Sequence, residues 1–174
     1  MALTPAQLAT LKADIAANGD LNVHPNTPDG NAAVAALYNA AATPDFWVWR
    51  TSIFESEITR TTTADGTSWS WPAYIIRSQG ERDAWARLFM GGASGMNPSL
   101  ANVRQGLQDI FSGPNSGGTL GAPAQRTHLL AVSRRLAKRG EKLFATGTGS
   151  TASPAVMVLE GNVTAADVLN ALAL

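Results

Sequence analysis

Cysteine is absent from this chain. Disulfide frameworks, thiolate nucleophiles and zinc-thiolate sites are therefore excluded. Charge is scarce as well: Asp, Glu, Lys and Arg make up 15% of residues, against about 25% in ordinary globular chains. Neither sign prevails, because Lys plus Arg and Asp plus Glu number 13 each. A neutral chain has no global field to draw it onto nucleic acid or an anionic membrane. No apolar run approaches the ~20 residues needed to span a bilayer. The opening MALTPAQLATLKAD has no basic segment followed by an apolar core, so no secretory leader is predicted. A soluble protein made in a cytoplasm is the expectation.

What remains is a chain of 174 residues, 45% hydrophobic, sufficient to bury a core. Thr4, Pro5 and Gln7 read as N-cap, first helical residue and capping-box partner. Leu8, Leu11 and Ile15 follow at helical spacing, and Asn18-Gly19 predicts a glycine C-cap. A second helix is predicted over about Asp29 to Ala42, with Val34, Leu37 and Tyr38 inward. Glu81 to Met90 reads as a helix with Trp85, Leu88 and Phe89 inward, ended by Gly91-Gly92. Asn97-Pro98 restarts the chain for a helix with Leu100, Val103, Leu107, Ile110 and Phe111 on one stripe, stopped at Gly113-Pro114. After a Gly-rich loop, the longest helix is predicted from Pro123 to about Phe144, with Leu129, Val132, Leu136 and Leu143 on one side. Thr164 caps a last helix, which packs through Val168, Leu169 and Leu172.

Between Phe46 and Pro72, aromatic and β-branched residues are dense. The Ala-Asp-Gly-Thr turn between Thr-rich runs predicts a β-hairpin at about 58–71. In that register Trp69 and Trp71 share one face. The competing reading is a short helix starting at Ser52, with Glu55 completing a capping box, followed by a loop. The fold class expected is mainly α: a single-domain helical bundle with a small β element and an extended C-terminal arm. Residues 1–144 would form the helical body. Residues 145–174 would supply a linker, a strand and a short helix.

The chemistry-bearing residues are sparse. His24 and His128 are far apart, and neither has a carboxylate at metal-ligand spacing, so surface or capping roles are expected for both. Glu55/Glu57 and Glu81/Asp83 could be paired acids, but their place at helix starts explains them through the helix dipole. Thr146-Gly147-Thr148-Gly149-Ser150 lacks the following lysine and helix of a phosphate loop. It reads instead as a soluble flexible linker. No catalytic residue, cofactor or metal site is expected, and the chain is not read as an enzyme.

Two features point to contact surfaces. Arg126, Arg134, Arg135, Lys138, Arg139 and Lys142 account for six of the 13 basic residues, and on a continuous helix several would stack at i, i+4. A solvated face, pairing with acids of a partner subunit, and contact with phosphate backbone all remain open for this cluster. Five tryptophans are many for this length; Trp85 reads as core, while Trp47/Trp49 and Trp69/Trp71 divide between core and interface. The candidate partner-binding residues are Arg134, Arg135, Lys138, Arg139, Trp69, Trp71, Val156 and Val158. The last two lie in an apolar run, Ala155 to Leu159, which is expected to leave the body and pair with another subunit by strand addition.

Several phrases add a resemblance: LTPAQLATLKADIAAN, PDGNAAVAALYNAAATPDFWVWRT, MNPSLANVRQGLQDIFSG and RRLAKRGEKLFATGTGSTASPAVMVLEGNVTAADV. The chain resembles a family of small proteins from the virion-morphogenesis gene clusters of tailed bacteriophages, and in size and helicity it resembles head-to-tail connectors (adaptors). The resemblance implies a bacteriophage virion structural protein assembled in the host cytoplasm. It implies a homo-oligomeric ring, a dodecamer by analogy, with portal protein on one side and tail or nozzle proteins on the other. Non-specific proximity to packaged DNA would follow, and no membrane is implied. A capsid decoration protein and a tail-completion protein are the alternatives within that class. A small DNA-binding protein is the alternative outside it.

Overall fold

Local caps set the helix starts. Gln7 N–H donates to the Thr4 hydroxyl at 3.3 Å, and the Gln7 carboxamide accepts from Thr4 N–H at 2.9 Å. Ser78 and Thr164 form the same device with Glu81 and Asp167. In the computed structural model, which describes residues 3–90, 95–112 and 122–174, the chain is mainly α with a small β element. Its elements are α1 (Pro5–Ala17), α2 (Gly19–Asn22), α3 (Pro28–Asn39), β1 (Trp47–Trp49), α4 (Glu55–Arg60), α5 (Trp71–Ile75), α6 (Gln79–Phe89), α7 (Ala101–Ser112), α8 (Pro123–Val132), β2 (Arg134–Leu136), α9 (Arg139–Phe144) and α10 (Ala165–Leu172). β1 and β2 pair as a two-stranded sheet. No helix among the described residues is long and apolar enough to cross a membrane.

The chain divides into two compact units, Met1–Val48 with Leu136–Leu174, and Trp49–Arg135. In the first, α10 packs on α1 and α3. Leu11, Ile15, Leu21, Val34, Tyr38, Leu159, Val163 and Val168 fill its main core, and Val48, Ala137 and Ala155 form a smaller cluster. In the second unit, α6, α7 and α8 pack together around Ile53, Ile58, Trp69, Trp85, Met96, Leu107, Ile110, Phe111, Leu129 and Val132.

Several expectations change. The helix from Pro123 to Phe144 is not continuous: α8 ends at Val132, β2 follows, and α9 starts at Arg139. The helical propensity of SRRLAKRG is overridden by backbone pairing, in which Ala137 N–H donates to the Phe46 carbonyl and Ala42 N–H to the Ala137 carbonyl. The hairpin at 58–71 is replaced by α4, a tight turn and α5. Only the turn survives, with Thr63 N–H donating to the Thr67 carbonyl at 2.9 Å. The competing short helix is closer to what forms, but it starts at Glu55, and Glu57 rather than Glu55 closes its N-terminus by accepting from Phe54 N–H. Gly19 opens α2 instead of capping α1 in the left-handed conformation.

Another change concerns the arm. Residues 145–174 are not set apart from a 1–144 body; they fold with 1–48 and 136–144. Ala155 N–H donates to the Trp47 carbonyl, and Val156 exchanges both backbone hydrogen bonds with Thr146. Ala155 and Leu159 point into the two cores of this unit, and burying them favours the folded-back form. The Gly/Ser/Thr segment is an ordered loop. Its Gly149 carbonyl accepts from Trp47 N–H at 2.7 Å, the Thr148 hydroxyl donates to the Ser153 carbonyl, and Ser153 N–H donates to the Ser150 hydroxyl.

Some stripe positions also turn outward. Leu100, Leu136 and Leu169 are exposed, whereas Leu107, Ile110, Phe111, Leu129, Val132 and Val168 are buried as expected. The Gly91-Gly92 break, the Gly113-Pro114 stop and loop residues 115–121 lie outside the described residues.

His128 is fully buried, contrary to a surface role. Its Nε2 lies 2.9 Å from the Ile58 carbonyl, which can only accept, so Nε2 carries the proton. Nδ1 then accepts from the Thr67 hydroxyl at 3.3 Å. The ring thus ties α8 to α4 and to the 63–67 turn. We expect His128→Leu to cost about 1–3 kcal/mol in urea unfolding, since it strands a buried carbonyl, and His128→Gln to recover part of that loss. Equal costs for the two variants would show that packing alone matters there.

Candidate interaction site

The second unit carries a short helix that buries none of its residues. Ser70 starts α5: its hydroxyl accepts from Ala73 N–H at 3.3 Å, and its own N–H donates to Gln125 Oε1 at 2.9 Å. Pro72 falls in the first turn, where a missing N–H costs nothing. Beyond the C-terminus, the buried Arg77 donates from Nε to the Ala73 carbonyl at 3.2 Å, and its guanidinium lies 3.8 Å from Glu81.

Beneath α5 lies an aromatic floor. Trp69 stacks at 4.8 Å from Trp85 and meets Phe111 and Trp71 edge-on at 6.0 and 5.7 Å. Tyr74 stands 6.0 Å from Trp85, and burial pushes the Tyr74 hydroxyl above its ordinary range. The Trp85 indole donates to Glu55 Oε1 at 2.8 Å, so Glu55 serves the core. Outward, α5 and the following residue present Trp71, Ile75 and Ile76, exposed by 53%, 58% and 42%. This is a rigidly backed apolar face rimmed by Arg82, which donates to the Ile75 carbonyl and to Gln79. Such a face marks a contact surface more than a catalytic one.

The first unit has a charged groove of about 740 Å³, lined by Asp14, Asn18, Asp20, Thr43, Arg139 and Lys142 among others. Arg139 pairs with Asp20 and lies 5.5 Å from the centroid of the Tyr38 ring. Its hydrogen bond holds the Asp20 carboxyl below the usual carboxylate range, and Asp20 in turn raises Arg139. Asp14 accepts from the Tyr38 hydroxyl at 2.7 Å. Burial, then this bond, pushes the Tyr38 hydroxyl far upward. The groove's charges are largely satisfied within the unit.

The expected partner-binding residues fall on different elements. Arg134 and Arg135 lie on β2, and Arg134 reaches Asp65 at 3.4 Å. Lys138 donates to Asn162 at 2.6 Å, and Arg139 is held by Asp20. Among the described residues these basic side chains do not share one helix: Arg126 is on α8, Arg134 and Arg135 are on β2, and Arg139 and Lys142 are on α9. Trp69 is core and Trp71 is surface, because the chain turns into α5 at Ser70 and does not continue as a strand. Val156 and Val158 are exposed, by 38% and 65%. Sequence reasoning missed Ile75 and Ile76; the Ser-Trp-Pro start of a helix at Ser70 was the available signal. Among the described residues, no group of His, Asp and Glu is placed to hold a metal ion. No protein-family model, curated protein or solved structure matches the chain.

Proposed function

We propose that this protein is a virion structural protein, a head-to-tail adaptor that assembles as a ring between portal and tail. The observation that carries the reading is the α5 face: Trp71, Ile75 and Ile76 are exposed together on an aromatic floor, a surface that subunit or partner contacts would cover. The resemblance of the NPS-start helix and the EKLFATGTGS phrase to virion-morphogenesis proteins supports the same class. Strand exchange by the arm is not part of the assembly, because the backbone of its apolar run is paired within its own chain. A DNA-binding role loses the continuous basic helix on which it depended.

The test is the mass of the full chain, alone and mixed with portal protein, by light scattering and negative-stain imaging. A ring, alone or on the portal, is the expected result. A stable monomer that binds only capsid shell would replace the adaptor reading with decoration.

A further inference from the structure

We infer that copies of this chain associate head to tail, the α5 face of one copy receiving the outward strip of Val156 and Val158 from the next. The inference rests on the assembly reading above and names its contact surfaces.

Each unit bears its own exposed apolar surface. On Trp49–Arg135 it is Trp71, Ile75 and Ile76. On the other unit, which also exposes Val23 and Leu169, it is the outward side of residues 155–159. Ala155 and Leu159 are buried there while Val156 and Val158 are exposed. The backbone of Val156 is already paired with Thr146, so contact is made by side chains on a folded surface, without strand exchange.

Charge decides how two copies meet. Trp49–Arg135 contains nine Lys and Arg against six Asp and Glu, a net of +3, while the remainder contains four against seven, a net of −3. A two-fold contact made by either apolar surface alone would set like-charged units together, +3 on +3 or −3 on −3. A head-to-tail contact sets opposite signs together, so the partner that fits the α5 face is the acidic unit of a second copy. Contacts of this kind do not saturate at a dimer; they close into rings or run on as filaments.

The experiment uses the full chain with two exposed positions changed, Ile75→Asp and Val158→Asp, each checked for an unchanged circular dichroism melt. Trp71→Ser serves as a second α5-face variant. Wild type self-associates by analytical ultracentrifugation. Each variant alone sediments as a monomer, with association weakened at least about tenfold, as expected for a central apolar contact. The decisive sample is the mixture. Ile75→Asp retains its valine strip and Val158→Asp retains its α5 face, so together they form a 1:1 dimer that grows no further. Association by Val158→Asp alone would indicate a two-fold α5 contact and overturn the inference, as would a mixture that stays monomeric. Wild-type assembly that both variants retain would sink the inference and leave the ring reading standing. A wild type that stays monomeric at high concentration would remove both.

Discussion

Trp85→Ala is expected to cost about 3–5 kcal/mol, the usual range for deleting a buried aromatic ring. Trp85 is 1% exposed. Its ring lies 4.8 Å from Trp69, 4.9 Å from Phe89 and 6.0 Å from both Tyr74 and Phe111. Removing it opens a cavity at the centre of the cluster and leaves Glu55 without the indole donor. Domains of this size are stable by about 5–15 kcal/mol in all, so the loss is a large share. Trp85→Phe keeps most of the stacking and loses the hydrogen bond, for a cost nearer 1 kcal/mol. Urea unfolding of both variants reads the difference. A cost below 1 kcal/mol for Trp85→Ala would mean that the aromatic floor under α5 is not the core of its unit.

Gly149→Val separates an ordered loop from a flexible linker. In a linker the change would be silent. Here Gly149 has φ +66°, and an added Cβ would stand 2.2 Å from the Phe46 ring. A β-branched residue in the left-handed region costs about 1–2 kcal/mol, and forcing the ring aside adds about 1–3 kcal/mol. A combined loss of about 2–5 kcal/mol follows. Gly66 provides the control: its φ is +74°, but nothing lies within 4 Å of an added Cβ. Gly66→Val therefore carries the backbone strain alone. Equal losses at the two positions would show that the Phe46 contact contributes nothing.

The local sequence determined much of the helical framework. Thr4 with Gln7, Ser78 with Glu81 and Thr164 with Asp167 fix helix starts through bonds that span three residues. Leu11 and Ile15, or Leu107, Ile110 and Phe111, mark buried stripes that any packing partner would select. Those features depend on near neighbours in the chain, so they were legible without a structure. The mainly α class followed from them.

Tertiary structure decided the rest, and it did so wherever distant backbone competed with local propensity. Residues 133–138 are good helix formers, yet Phe46, sequentially remote, takes the Ala137 N–H. The same competition turned the Gly/Ser/Thr linker into a loop closed on Trp47, and the apolar run after it into core. Trp69 and Trp71 are the same residue type two positions apart, each preceded by serine. Only the turn at Ser70 sends one into the core and leaves the other on the α5 face. A contact surface is what remains after long-range packing has chosen which apolar residues to bury, and the Ser-Trp-Pro start of α5 is its one local trace.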